Sequence, residues 1–347
     1  MKKLLLVGSD SVHTYNYLEL ISGYFDEVRL LTDPSAKGKT RNIETVDFSL
    51  RNPLNYFRAV RTVREKIKAL HPELIHIHQA NTAAYITLKA AKGTGIPVIL
   101  TAWGSDVLLL PREGFLKRKM VGYVLQHADA FTSDSEYMAG EMRKMMRDDR
   151  KEILVANFGI NVPVTGGEKE NVIYSNRLHK KLYRIDKVIE GFHRFVKGGA
   201  VGDWKLVIAG SGEETGNLRG LVSGLDLDGQ VLFAGWLGRD ENAKYYARAR
   251  VFVSIPESDA TAISLLEAMA SGCIPIVSDL PANREWVTDK MNGIVVRDLS
   301  ENFFEGVLKM DREKIAVINR DIIAERGTKE GNRKKFIGLY ERVLKNR

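Results

Sequence analysis

The stretch from Val251 to Ser278 limits the possible folds more than any other. Val251-Phe252-Val253 and Ile274 to Val277 are apolar runs of strand length. The residues between them, roughly Ala262 to Ser271, read as one helix, with Gly272 where a left-handed end residue belongs. Strand, loop, helix and strand in this order make a right-handed parallel unit. The helix then starts at the carboxyl end of a parallel strand, where its first N–H groups and positive dipole end suit an anion.

The same alternation recurs along the chain. Leu4–Gly8, Val28–Thr32, Glu73–His78, Val98–Thr101, Ala130–Ser133 and Ile153–Val155 read as strands in the first half, with helices over Thr14–Phe25 and Asn55–Leu70. Strands restart at Val172–Ser175, Lys205–Ala209, Val231–Ala234 and Gly293–Val296, with a helix over Ile185–Phe195. Pro163, Gly166 and Gly167 punctuate the span 161–170 between the halves. The chain has 347 residues, enough for two domains of roughly 150 each. The expected class is α/β, with one domain over residues 1–160 plus a closing helix at 331–347, and a second over 161–330.

Composition narrows the classes of function. The content of 44% hydrophobic and 28% charged residues is that of a soluble globular protein. One cysteine, Cys273, permits no internal disulfide and fits a reducing, cytoplasmic setting. The apolar run after Met1-Lys-Lys is too short for a signal peptide, and no run approaches the roughly 20 residues that span a bilayer. A net charge of +8 suits phosphate-bearing ligands, anionic lipid or nucleic acid. Nucleic acid is disfavoured, because no strand interleaves aromatic and basic residues. Asn55–Leu70 sets Arg58, Arg61, Arg64, Lys66 and Lys68 against a single Glu65, over a stripe of Phe57, Val60, Val63, Ile67 and Leu70 expected to be buried. The helix reads as a solvated outer face or as a surface for an anionic membrane, and Phe115-Leu-Lys-Arg-Lys119, which repeats the mixture, supports the second reading.

Several residues carry candidate chemistry. Asp259 and Glu267 bracket the helix start, and Glu267 stands among Leu265, Leu266, Ala268 and Met269. A carboxylate in apolar company needs a fixed partner, which ribose hydroxyls or an arginine would supply. Asp259 would otherwise cap the helix. His76 and His78 project to one face of their strand, but no third ligand stands nearby, so a metal is not expected. Gly8 and the Gly210-Ser-Gly212 pair read as turn glycines, and Asp106 as a helix cap or a site carboxylate.

An acidic residue, seven others and a Glu, followed by Ala-Met-Ala-x-Gly-x-Pro, resembles the retaining glycosyltransferases of the GT-B fold in their large fourth family, also called group 1. Asp259 and Glu267 take the two acidic positions and Gly272-Cys-Ile-Pro275 the tail. The resemblance implies two Rossmann-like domains facing across a cleft, the last helix returning to the first domain. It implies that Asp259 meets the donor sugar, that Glu267 meets the nucleotide ribose, and that the peptide groups from Ala260 through Ile263 to Ser264 meet the diphosphate. Arg177, in Asn176-Arg177-Leu178, matches a diphosphate-binding arginine of the family. The family's next lysine is missing, and Lys181 is the chosen substitute over Lys180 and Arg184.

Gly8, Gly210 and Trp236 would border the donor nucleotide, and His78, Trp103 and Asp106 would face the acceptor. The family's His-Gly-x-Asp becomes Trp103-Gly-Ser-Asp106 here, and an indole cannot exchange a proton. The implied reaction moves a sugar from a UDP- or GDP-linked donor to a glycan or lipid-linked acceptor, without metal or other cofactor, in a setting of polysaccharide or lipopolysaccharide assembly. The alternatives are a nucleotide-sugar epimerase of the same fold and a non-catalytic nucleotide-sugar-binding module.

Overall fold

The computed structural model describes residues 1–34, 43–50, 52–148, 150–162, 168–200 and 202–345. Pro163, Gly166 and Gly167, expected to mark the boundary, lie outside the described residues, as do Asn346 and Arg347 of the expected closing helix. The chain divides into two compact units: Met1–Phe158 with Lys329–Arg347, and Gly159–Thr328. The division falls two residues before each expected boundary.

Unit one is built on seven strands: β1 (Lys3–Val7), β2 (Glu27–Thr32), β3 (Ile43–Thr45), β4 (Leu74–His78), β5 (Val98–Thr101), β6 (Ala130–Ser133) and β7 (Ile153–Val155). They pair in the order β3-β2-β1-β4-β5-β6-β7, all parallel. The direction of strand addition reverses between β1 and β4, which sets a switch point at their carboxyl ends. The connecting helices are α1 (Val12–Leu20), α2 (Pro53–Leu70), α3 (Thr82–Ala91), α4 (Ser105–Leu108), α5 (Phe115–His127) and α6 (Glu136–Met145). Asn52 caps α2 by accepting the Leu54 N–H, and Asn81 caps α3 by accepting those of Ala83 and Ala84. The stripe expected on α2 holds for Val63, Ile67 and Leu70 but fails for Phe57, which is 68% exposed; Ala59 is buried one turn before Val63 instead.

The closing helix, Lys329–Lys345, belongs to unit one. Its Phe336, Leu339 and Tyr340 join Leu4, Leu6, Tyr17 and Leu74 in one core. A buried polar chain ties it there. Tyr340 Oη lies 2.7 Å from Tyr17 Oη, which lies 2.6 Å from His76 Nδ1. His76 Nε2 is 2.7 Å from Thr101 Oγ1. His76 is thus a satisfied core residue.

Unit two carries β8 (Glu170–Ser175), β9 (Lys205–Ala209), β10 (Val231–Gly235), β11 (Ala249–Ser254), β12 (Ile274–Ser278) and β13 (Ile294–Val296), in the order β10-β9-β8-β11-β12-β13 and all parallel. Its switch point lies between β8 and β11. The helices are α7 (Ile185–Lys197), α8 (Thr215–Gly224), α9 (Arg239–Arg248), α10 (Ile263–Ala270), α11 (Pro281–Arg284) and α12 (Arg312–Arg326). Both faces of the sheet are covered, so its strands are near-continuous apolar runs rather than alternating ones. Val251, Val253, Ile274 and Ile276 enter one core and Phe252 and Val277 the other.

Candidate functional site

The residues singled out in the second half converge at the switch point of unit two. Arg177 follows the end of β8, while Asp259 and Ser264 belong to the loop and helix that follow β11. Arg177 Nη2 donates to Asp259 Oδ2 at 2.6 Å and Nη1 to Ser264 Oγ at 3.2 Å. The guanidinium lies over the Tyr183 ring, 4.5 Å from its centroid. It is 11% exposed and the carboxylate 21%, so the pair forms a held surface at the helix start rather than two free groups. The expectation that Asp259 caps the helix is corrected: the cap position of α10 is Ala262, and no side chain caps it. Ala260 is corrected too, since its N–H is spent on Asp259 Oδ1 at 3.0 Å. The half-buried Ile263 and Ser264 remain in the uncapped first turn.

Glu267 sits one turn further along α10, half-buried, and the positive charge of Arg239 acts on it. Burial pushes its carboxyl above the ordinary carboxylate range, while a hydrogen bond from Tyr246 pulls it partly back. Tyr246 is buried, and its hydroxyl accepts from Asn176 Nδ2 at 2.8 Å. Asn176 Nδ2 also donates to Asn242 Oδ1 at 2.9 Å, and the Tyr174 hydroxyl donates to that same oxygen at 2.5 Å. A fixed relay therefore aims the Glu267 carboxylate. Tyr246 and Asn176 were not legible as site residues: Asn176 adjoins Arg177, but Tyr246 lies on α9 with no local signature.

The loop itself is braced from outside. Trp286 Nε1 donates to Thr261 Oγ1 at 3.1 Å, and the Arg326 guanidinium lies 4.4 Å from the centroid of the Trp286 ring. On the other side, Gly210 at the end of β9 has φ +104°, and a Cβ there would stand 2.6 Å from the Arg177 carbonyl. A Cβ on Gly212 would stand 2.4 Å from the His179 carbonyl. These glycines let one loop press on the backbone that carries Arg177, which is more than a plain turn requires. Trp236, just past Gly235, is 68% exposed.

Lys181 is exposed and its ammonium meets no partner among the described residues, whereas the Arg184 side chain donates to Glu257 at 3.2 Å. Three buried polar atoms along this turn, Ser175 Oγ, Asn176 Oδ1 and His179 Nε2, have no partner among the described residues. Buried polar groups normally have partners, so their presence beside an uncapped helix start marks a place built for a polar ligand.

In unit one, the candidates lie at the switch point between β1 and β4, but not as expected. His78 was to open on the cleft; instead it is 1% exposed, with ring centroids 4.6 Å from Tyr17 and 5.3 Å from Trp103. Neither of its nitrogens has a partner among the described residues, nor has the buried Nε1 of Trp103. Burial pushes the His78 pKa well down, so the ring is neutral at physiological pH. Gly8 is no tight-turn residue: a Cβ there would meet His78 Cβ at 3.2 Å, and this close approach explains the glycine.

Asp106 is corrected on both readings. It lies in the first turn of α4, whose cap is Gly104, and it is 4% exposed. Its oxygens accept the N–H of Ala80 at 2.7 Å and of Trp103 at 3.0 Å. Asp106 therefore ties the loops after β4 and β5 together and sets Trp103 in place, rather than offering a free carboxylate. Burial raises its pKa and the backbone N–H groups lower it in part. Among the described residues no three His, Cys, Asp or Glu side chains gather as a metal site.

The comparisons with known proteins agree with this geometry. The family model for glycosyl transferases group 1 matches residues 160–328, and that for glycosyl transferase 4-like proteins matches residues 2–135. Among curated proteins, the chain is 24% identical over 215 residues to N-acetyl-alpha-D-glucosaminyl L-malate synthase of Bacillus anthracis, covering 58% of this chain and 55% of that protein. It is 28% identical over 153 residues to alpha-monoglucosyldiacylglycerol synthase of Streptococcus pneumoniae, covering 44% and 34%. The chain thus spans about half or less of the curated relatives it matches.

Among solved structures, Anabaena HepE in complex with UDP superposes with a TM-score of 0.80 at 13% identity, over 98% of this chain and 100% of that one. Sucrose-phosphate synthase of Thermosynechococcus elongatus gives 0.81 at 15% identity, over the whole of both chains. At such identities the likeness shows the fold, which is GT-B. With both halves matched by sequence models and the Asp259–Glu267 motif at the switch point, the chain belongs to the glycosyltransferases of group 1.

Proposed function

We propose that the protein moves a sugar from a nucleoside-diphosphate sugar to a hydroxyl of a glycan or lipid-linked acceptor, with retention at the anomeric carbon. The observation that carries this reading is the cluster of Arg177, Asp259, Ser264 and Glu267 around the uncapped start of α10. Solved relatives of the same fold hold UDP and, in one case, UDP-glucose, and this supports a uridine donor. TarM is described in complex with UDP and a GlcNAc-glycerol.

In this reading the α10 start, Arg177 and Lys181 meet the diphosphate and stabilise the charge that develops on it as the bond to the anomeric carbon breaks. No metal or other cofactor is required, because these cations occupy its electrostatic role. Asp259, held by Arg177, orients sugar hydroxyls, and Glu267 accepts hydrogen bonds from the ribose. The new bond forms between the acceptor oxygen and the anomeric carbon, and the acceptor proton passes to the departing phosphate oxygen. A side-chain base is then unnecessary, which agrees with Trp103 standing where the family has a histidine and with His78 being buried.

A thermal-shift panel of UDP, GDP, ADP and their sugar conjugates tests the donor site. A cognate ligand at a hundred times its dissociation constant adds about 2.7 kcal/mol of stability. A panel in which no nucleoside diphosphate raises the melting temperature would refute the reading.

A further inference from the structure

Three neighbouring helices of unit one carry a charge out of proportion to their size. Helices α2, α3 and α5 together hold nine Lys and Arg against one Glu. Their net charge of +8 equals the formal net charge of the whole chain. They form one layer. Tyr56 of α2 lies 6.2 Å from Tyr85 of α3, which lies 5.0 Å from Tyr123 of α5. Arg64 of α2 donates to the carbonyl of Ala90 at 3.2 Å. Some of the cations are paired: Arg61 with Glu65, Lys66 with Glu44 and Lys117 with Glu113. Arg58, Lys68 and Arg118 are exposed and meet no carboxylate among the described residues.

Large apolar side chains stand out of the same layer. Leu54 and Phe57 open α2 at 73% and 68% exposure, and Phe115 and Leu116 open α5 at 69% and 80%. All four lie at helix starts, on the rim where the strands of unit one end. Tyr56 and Tyr85 are both in first turns, and Phe115 precedes Tyr123 by eight residues, about 12 Å of helix. Lys119 Nζ sits 4.4 Å from the centroid of the Phe115 ring. Four such side chains held in water at one rim are costly unless something covers them. A soluble polyanion would satisfy the cations but offers no apolar phase for leucine and phenylalanine. An anionic bilayer offers both, in the order this face presents: headgroups to the cations, acyl boundary to the protruding side chains.

We propose that the α2–α3–α5 face of unit one docks on an anionic phospholipid surface, with Leu54, Phe57, Phe115 and Leu116 entering the headgroup boundary. The inference stands apart from the donor site, which lies in unit two. It is tested by sedimenting the full chain with vesicles of phosphatidylcholine alone or mixed with phosphatidylglycerol. The protein is expected to bind only the mixed vesicles, and less as salt rises.

Arg58→Ala and Arg118→Ala should each lower the partition about fivefold, the equivalent of about 1 kcal/mol per cation. Phe57→Ser with Phe115→Ser should lower it about tenfold or more. These side chains are largely outside the core, so the melting temperature should not move, which separates lost docking from lost folding. Equal binding to both vesicle types would overturn the proposal, as would unchanged binding of the Phe57→Ser, Phe115→Ser protein. Tight binding to heparin or duplex DNA with no vesicle binding would assign the face to a soluble polyanion and overturn it equally.

Discussion

At the scale of single residues, the site depends on which carboxylate is held and which is left to accept. Asp259 is engaged by Arg177, whereas Glu267 is aimed by Tyr246 and otherwise pressed by burial. Asp259 thus takes the kind of partner, an arginine, that apolar surroundings suggested for Glu267. The pKa of Glu267 is raised in the fold, so the folded protein binds its proton more readily than the unfolded chain. Its contribution to stability is present at low pH and is lost as pH rises through the unfolded value of 4.5 and on to the raised one. Glu267→Gln should therefore leave the unliganded protein at least as stable at pH 7, while nucleotide affinity falls by roughly tenfold or more. A loss of stability of the unliganded variant, measured by urea unfolding, would contradict the assignment.

Tyr246→Phe keeps the ring in the core but removes the hydroxyl that orients Glu267. It should raise KM for the donor several-fold, roughly the worth of one hydrogen bond to a charged group, with kcat changing less. An equal fall in kcat with KM unmoved would remove Tyr246 from this role.

At the scale of elements, the site depends on how closely two loops approach. The loop after β9 rests on the backbone of Arg177 and His179 only because Gly210 and Gly212 have no side chains there. Gly210→Ala would add both a strained positive φ and a contact at 2.6 Å with a carbonyl that cannot swing away. The expected cost is about 1–3 kcal/mol of stability, with a further loss of nucleotide binding as Arg177 is displaced. Thermal unfolding with and without nucleotide checks both parts; a variant that binds nucleotide as well as the parent would show that the approach does not position Arg177.

The strands other than β3, and the α10 unit, were legible because parallel strands buried on both faces are short continuous apolar runs, and Gly272 marks the helix end. The relay behind Glu267 was not. Tyr246 reaches it across 21 residues of sequence, through packing of α9 against α10 that no local pattern encodes. Phe57 leaves the expected stripe for a geometric reason: two successive steps of three residues turn it about 120° from Val63, off the line that Ala59, Val63, Ile67 and Leu70 hold.

At the scale of the whole molecule, the two units differ in what acid does to them. Unit one buries His76 and His78, and burial pushes His76 down to about 3 and His78 well below its ordinary value. The unfolded chain takes up protons near pH 6.5 and the fold does not, so stability is present above that value and is lost as pH falls below it. The loss is about 1.4 kcal/mol per pH unit for each histidine. Asp106, whose pKa burial raises, acts in the opposite sense only nearer the carboxylate range. Unit two has the buried His179, whose pKa burial also lowers, against the two histidines of unit one. Unit one should therefore unfold first on mild acidification. Denaturant unfolding at pH 7 and pH 5, followed by hydrogen exchange in each unit, checks this. Equal stability of unit one at the two pH values would contradict it.

The assignment of unit two to a nucleotide donor is tested most directly by a calorimetric cycle on Glu267. UDP and its 2′,3′-dideoxyribose counterpart are titrated into the parent protein and into Glu267→Ala. If the carboxylate grips the ribose, the substitution weakens UDP binding by several kcal/mol, yet costs almost nothing further for the ligand without hydroxyls. Equal losses for both ligands, or none for either, would show that Glu267 does not meet the ribose.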